Sequence, residues 1–137
     1  MLDASALVRA IVRPEEPAAV EWARAVQQGS VHAVVPDLVY AEAANALSNY
    51  AWAGMLSAVE AEDALEYVLD LPLESRSLRL LARQALAISL TRGVSAYDGC
   101  YLALAIGHDA VLVTADRRLA EQAERSVRLP EQGPPPE

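Results

Sequence analysis

The chain has 137 residues, of which 53% are hydrophobic and 22% charged, and its formal net charge is −8 at pH 7. This composition predicts one compact globular domain and excludes an intrinsically disordered chain. A single cysteine, Cys100, excludes an internal disulfide and a cysteine-rich zinc site, and no apolar run of roughly 18 residues is present to span a membrane.

Helical and extended segments alternate along the chain. In the first half the pattern predicts helices over ASALVRAIV and EEPAAVEWARAVQQG, a strand VHAVV closed by Pro36, and helices over LVYAEAANALSNYAWAG, capped by Asp37, and AVEAEDALEYVLD, opened by Ser57. The second half follows with a short strand in LPLES, helices over SLRLLARQALAISLTRG and AYDGCYLALAIG, the strand DAVLVT, the helix ADRRLAEQAER and a last strand SVRL. The tail PEQGPPPE is typical of a disordered end.

Strands separated by helices predict parallel pairing and a three-layer α/β/α sandwich with a central parallel sheet. We expect this domain to span residues 1–129 and the disordered tail to span 130–137. Ligands of such sheets bind outside the carboxyl ends of the strands. Glycine-rich phosphate loops are absent, which argues against a dinucleotide or P-loop site. The N-terminus lacks the pattern of a signal peptide, so we expect a cytoplasmic protein.

Three aspartates stand where helices are predicted to begin. Asp3 precedes the first helix, Asp98 lies three residues after Ser95, and Asp116 follows the strand DAVLVT. Each therefore has a structural explanation as part of a helix cap. Considered one at a time, none is distinguished from an ordinary cap.

Glu42 lies inside a helix and has no such explanation. The apolar face of that helix is predicted to consist of Val39, Ala43, Ala46, Leu47 and Tyr50. Glu42, Asn45 and Asn49 form a polar stripe at positions i, i+3 and i+7. A solvated outer face is one interpretation of this stripe. The other is a set of short-range polar contacts, because asparagine is a poor helix former.

The four acidic residues converge if the strands are parallel. Two charges about 5 Å apart at an effective dielectric near 20 repel by about 3 kcal/mol. Either some of the carboxylates are protonated, or a hard divalent cation neutralises them. Carboxylate oxygens suit Mg²⁺ or Mn²⁺. Such a cation would also let a chain of net charge −8 hold a phosphate backbone that it would otherwise repel.

Four blocks of sequence, in order, resemble the signature blocks of the PIN domain family: DASALV, PDLVYAEAANAL, SAYDGCYLALA and VLVTADRRLA. Their order and spacing are similar to those of VapC-type toxins of prokaryotic toxin–antitoxin pairs, from Leu2 to about Leu129. The resemblance implies a Mg²⁺- or Mn²⁺-dependent endoribonuclease that cuts single-stranded or loop RNA. It also implies a homodimer and a small antitoxin protein as inhibitor.

Carried over position by position, the resemblance implies an acidic quartet of metal-binding residues: Asp3, Glu42, Asp98 and Asp116. The first three would be direct or water-mediated ligands, and Asp116 would hold a second metal or position water. Three residues would support these ligands by hydrogen bonds: Ser5, Asn45 and Thr114. Four arginines are candidates for phosphate contact, with ordinary surface charge as the alternative: Arg9, Arg13, Arg117 and Arg118.

The chain departs from the family pattern at two places. Only Met1 and Leu2 precede Asp3, where the family usually has a longer apolar strand. Either the start lies upstream or this strand is shorter than usual. Some members carry a further Asp or Asn just after the last acidic residue, where this chain has Arg117, Arg118 and Leu119. The number of metal ions is therefore left open between one and two.

Two other functions are compatible with parts of the sequence. A phosphohydrolase with Asp3 as nucleophile typically has a second aspartate two residues on, but position 5 is serine and the chain contains no lysine. A catalytically silent PIN fold that only binds a partner is the second alternative. The four intact acidic residues argue against it.

Overall fold

The structure, a computed structural model, describes residues 17–114, 117–123 and 126–128. Its helices are α1 (Pro17–Gln28), α2 (Leu38–Trp52), α3 (Ala58–Asp70), α4 (Leu78–Arg92), α5 (Ala96–His108) and α6 (Arg117–Gln122). Its strands are β1 (Ala33–Pro36), β2 (Leu73–Arg76), β3 (Leu112–Thr114) and β4 (Ser126–Arg128). The predicted helix over residues 4–12 and the predicted tail over 130–137 lie outside the described residues.

Helix ends follow local capping chemistry that is visible in the sequence. Ser57 opens α3 with a full capping box, in which its hydroxyl accepts the Glu60 N–H and the Glu60 carboxylate accepts the Ser57 N–H. At the start of α5 the Ser95 hydroxyl accepts the N–H of Asp98, which makes a single side-chain cap. Gly93 closes α4 in the left-handed conformation, with φ of 67°, which a residue with a side chain rarely adopts. These three helix ends agree with the predicted ones.

The predicted cap of α2 is only partly correct. Asp37 does occupy the position before the helix, but its backbone is in the right-handed helical region. Its side chain makes no capping hydrogen bond, because that bond normally requires an extended backbone at the cap residue. The Asp37 N–H instead donates to the carbonyl of Arg76 at 2.9 Å, which ties the end of β1 to the end of β2.

The strands form parallel pairs, as the alternating pattern predicted. β1 pairs with β2 in a register that runs from Ala33 opposite Leu73 to Pro36 opposite Arg76. β3 pairs with β4, with Leu112 opposite Ser126. Parallel pairing requires crossover connections, and the helices between the paired strands supply them.

Successive side chains of the strands face two separate hydrophobic clusters. Ala33, Val35 and Val113 lie in the cluster formed with α1, α2 and α3. Val34 and Leu112 lie in the cluster formed with α4, α5 and α6. Because strand side chains alternate between the two faces of a sheet, the strands lie between two helix layers. The predicted three-layer α/β/α architecture is confirmed.

The second helix layer is held by a close approach of α4 and α5. A Cβ atom placed on Gly99 of α5 would lie 2.5 Å from the carbonyl oxygen of Ala85 in α4, far inside van der Waals contact. Only glycine therefore allows this separation of the two helices. The end of α4 also contacts α6, because the Arg92 guanidinium donates to the carbonyl oxygen of Gln122 at 2.8 Å.

Within residues 17–114, 117–123 and 126–128, no helix combines the length and apolar character needed to cross a membrane.

Candidate active site

Glu42 lies on α2, one helical turn beyond the C-terminal end of β1. Val39, Ala43 and Leu47 of this helix are buried in the core, as the sequence predicted. Glu42 itself is half-buried, whereas Asn45 and Asn49 are exposed. The polar stripe thus divides into a half-buried carboxylate and two amides in contact with solvent.

Asp98 lies in the first turn of α5 and is half-buried. Its backbone N–H donates to the Ser95 hydroxyl at 3.1 Å, so the cap fixes the backbone from which the carboxylate projects. On its other side Gly99 contacts α4 through the close approach to Ala85. The backbone that carries Asp98 is therefore constrained by both neighbours.

Tyr101 joins Glu42 to the helix that carries Asp98. The Tyr101 hydroxyl donates to Oε1 of Glu42 at 2.7 Å, across 59 positions of sequence. Tyr101 lies three residues after Asp98, so the two side chains share one face of α5. The structure thus brings Glu42 of one helix layer to the face of α5 that bears Asp98.

Cys100 is the next residue on α5 and lies near the same carboxylate. Burial raises the pKa of its thiol, and the negative charge of Glu42 raises it further. The sulfur is therefore a neutral thiol at pH 7 rather than a thiolate. Cys100 is a small buried residue that lies in the core.

Thr114 ends β3 and is fully buried. By the two-residue period of a strand, it faces the same side as Leu112, toward α5. This is the side from which Tyr101 contacts Glu42. Asn45, by contrast, is exposed and makes no side-chain hydrogen bond to the part of the chain that the structure describes. Its supporting role remains a prediction.

Most of the other predicted site residues lie wholly or partly outside the part of the chain that the structure describes. Asp3, Ser5, Arg9, Arg13 and Asp116 lie outside the described residues. Arg117 and Arg118 begin α6, and for these two residues the structure describes only the backbone. Among the described residues, no group of three or more His, Cys, Asp or Glu side chains assembles into a metal site. Of the four acidic residues predicted as metal ligands, the structure describes Glu42 and Asp98.

Tyr101 was not among the predicted site residues, although it lies in the block SAYDGCYLALA that also carries Asp98. One signal was available. Tyr101 lies at position i+3 from Asp98 on the same predicted helix. A hydroxyl at that spacing from a candidate ligand indicates a hydrogen bond near the site rather than plain core packing.

The comparisons with known proteins agree with this fold. The PIN domain model matches residues 1–125. Ribonuclease VapC3 from Pyrobaculum aerophilum is 36% identical over 125 residues, which are 89% of this chain and 92% of that protein. The crystal structure of PAE2754 from Pyrobaculum aerophilum has a similar fold, with a TM-score of 0.72 and 24% identity over 93% of this chain and 88% of that chain. The resemblance noted in the sequence is confirmed, and the chain belongs to the PIN domain family, among the relatives of VapC-type ribonucleases.

Proposed function

We propose that this chain is a VapC-type endoribonuclease that hydrolyses RNA phosphodiester bonds with the help of Mg²⁺ or Mn²⁺. The observation that carries the proposal is the contact between α2 and α5, in which Glu42 meets the helix face that bears Asp98. Two half-buried carboxylates from opposite helix layers have no evident role in packing. The relationship to Ribonuclease VapC3 supports the same activity.

The chemistry of the donor set fits a hard cation. Glu42 and Asp98 offer carboxylate oxygens, and the nearby Cys100 is a buried thiol rather than a thiolate ligand. Oxygen donors of this kind suit Mg²⁺ and Mn²⁺ rather than zinc. We propose that Asp3 and Asp116 complete the set. The bound cation would lower the pKa of a coordinated water and neutralise charge at the scissile phosphate.

The residues of the chain would orient these groups and hold the substrate. In the proposal the Ser95 cap and the Gly99 contact keep the Asp98 backbone fixed, while α2 carries Glu42 to the same place. Ser5, Asn45 and Thr114 would keep the carboxylates ionised and oriented by hydrogen bonds. Four arginines would contact the phosphate backbone on either side of the cleaved bond: Arg9, Arg13, Arg117 and Arg118.

The proposed setting is the cytoplasm, with a small antitoxin protein as inhibitor and a homodimer as the active assembly. A formal net charge of −8 suits an inhibitor that presents a basic segment to the toxin. The same negative charge is unfavourable for RNA binding without cations. We therefore expect the metal ion to be required for RNA binding as well as for cleavage.

Cleavage of a structured RNA with single-stranded loops tests the proposal. We expect the purified chain to cut it with Mg²⁺ or Mn²⁺ and to stop when EDTA is added. Glu42→Gln and Asp98→Asn should each lower the rate by at least about 100-fold, since even outer-shell metal contacts are worth 10- to 100-fold. Asp63→Asn, which removes an exposed acid from α3, is the matched control and should cut at the wild-type rate.

The same experiment separates the alternatives. A phosphohydrolase with an aspartate nucleophile would leave a covalent phospho-aspartate, which mass spectrometry detects, whereas the proposed hydrolysis leaves none. If the wild-type chain cuts no RNA with any divalent metal and Asp98→Asn behaves identically, the binding-module interpretation replaces the nuclease.

Metal-free Asp98→Asn should melt at the wild-type temperature or higher, because it relieves carboxylate repulsion.

A further inference from the structure

We propose that Tyr101 is a positioning residue that fixes the Glu42 carboxylate relative to Asp98, so that the two act as one metal-binding pair. This inference rests on the proposed function and extends it to a residue outside the acidic quartet. Its structural basis is the hydrogen bond from the Tyr101 hydroxyl to Oε1 of Glu42, at 2.7 Å. Bonds between a hydroxyl and a carboxylate are charge-assisted and roughly twice as strong as neutral ones.

The ring of Tyr101 is held rigidly. Tyr101 is only 2% exposed and lies in the hydrophobic cluster of the second helix layer with Leu102, Leu104 and Leu112. A buried tyrosine has few rotamers open to it, so its hydroxyl occupies one place relative to the backbone of α5. Glu42, in contrast, has a flexible side chain and is half-buried. The rigid partner therefore sets the position of the flexible one.

The hydrogen bond also connects two parts of the fold that the sequence keeps far apart. Glu42 belongs to the layer formed by α1, α2 and α3, and Tyr101 to the layer formed by α4, α5 and α6. Because Tyr101 and Asp98 share one face of α5, fixing Glu42 to Tyr101 fixes its distance to Asp98 as well. Metal affinity depends on such orientation of ligands by groups behind them.

Mn²⁺ binding measured by electron paramagnetic resonance tests this role without RNA. We expect Tyr101→Phe, which removes a single oxygen atom, to bind Mn²⁺ about 10-fold more weakly than wild type. Tyr97→Phe is the matched control, because Tyr97 lies on the same helix but is 65% exposed. It should bind Mn²⁺ like wild type.

A double-mutant cycle separates positioning from general structural support. In a Glu42→Gln background the carboxylate is gone, so we expect the added Tyr101→Phe change to alter Mn²⁺ affinity by less than about 2-fold. A tyrosine that only supports the fold would weaken binding by the same factor in both backgrounds. The titrations are run at 4 °C. Circular dichroism at the same temperature establishes that wild type, the two single variants and the double variant are folded.

The outcomes distinguish this inference from the proposed function. If wild type and Tyr101→Phe bind Mn²⁺ equally, or if the loss is the same in both backgrounds, the role of Tyr101 is overturned and the nuclease proposal stands. If wild type binds no Mn²⁺ and cuts no RNA, both are overturned together. A Tyr101→Phe chain that does not fold at 4 °C also overturns the inference, because its hydroxyl is then required for folding.

Discussion

Helices α3 and α5 have the same length and the same kind of cap but opposite relations to solvent. Each has 13 residues and begins after a serine whose hydroxyl accepts a backbone N–H three residues on. In α5 the seven consecutive residues Gly99 to Ala105 are buried, whereas α3 buries only Ala64 and Val68. Local capping thus starts both helices, and packing decides how firmly each is held. The helix that bears Asp98 is the one whose middle residues are enclosed on all sides.

Truncating a buried leucine should reveal this difference most strongly. Leu102 of α5 is 1% exposed, so Leu102→Ala should lower the free energy of unfolding by about 2–5 kcal/mol. Leu69 of α3 is 49% exposed, and Leu69→Ala should cost less than about 1 kcal/mol. Urea denaturation of the two variants gives both values. Equal losses would contradict the contrast between the two helices.

The close approach of α5 to α4 predicts the next largest effect. Gly99→Ala places a methyl group against the Ala85 carbonyl and should destabilise the fold by about 1–3 kcal/mol. Gly107 of the same helix has no neighbouring atom within 4 Å of a built Cβ, so Gly107→Ala should stabilise by up to about 1 kcal/mol. We expect the melting temperature to fall in Gly99→Ala and to rise in Gly107→Ala. A loss of stability in both variants would show that the close approach of α5 to α4 is not the cause of the Gly99→Ala effect.

The two serine caps should have similar effects on stability and different effects on activity. Ser57→Ala and Ser95→Ala should each cost about 1 kcal/mol, because each removes one capping hydrogen bond. Only Ser95 accepts the N–H of Asp98, so only Ser95→Ala should slow RNA cleavage measured well below the melting temperature. If Ser57→Ala slows cleavage to the same extent, the local connection between cap and site is wrong.

The smallest predicted effect is on the rate at which the Cys100 thiol is alkylated, and it involves no change in stability. Burial and the charge of Glu42 raise the pKa of Cys100, so at pH 8 its thiolate fraction is below that of an exposed cysteine. Alkylation of native protein by iodoacetamide should therefore be slow and should become fast in urea. Glu42→Gln removes the second cause of the raised pKa and should increase the native rate modestly, provided that burial is retained. Rapid labelling of the native wild type would contradict the burial of Cys100.

Much of the fold could be predicted because its signals are local. Ser57, Ser95 and Gly93 mark helix ends by hydrogen bonds and backbone conformations that depend on a few neighbouring residues. The alternation of helices with short apolar strands was enough to predict parallel pairing and three layers. Asp37 shows the limit of this reasoning. Aspartate is a common cap residue, but the backbone of Asp37 is helical and its side chain makes no capping hydrogen bond. Its N–H donates to the carbonyl of Arg76, a contact that the sequence does not reveal.

The acidic residues of the candidate site were proposed from the sequence, whereas the contact between Glu42 and Tyr101 was not. Glu42 stood out because it lies in a polar stripe inside a helix and no cap explains it, and Asp98 because it lies in a block that resembles a PIN domain signature. The Tyr101 contact depends on how two helix layers meet, which a sequence separation of 59 does not reveal. Gly99 was visible as a glycine inside a helix, but its function of admitting Ala85 required the position of α4.

The hydrogen bond from Arg92 to the Gln122 carbonyl has a consequence for local opening. Helix α6 has six residues, too few to persist without tertiary support, and this bond satisfies a carbonyl at its end. Its amides should therefore exchange with solvent deuterium at a rate governed by the end of α4. Amides of α6 and of the last turn of α4 would then gain and lose protection together, as one cooperative unit. That unit would join the end of α4 to a helix end 30 positions later in the chain.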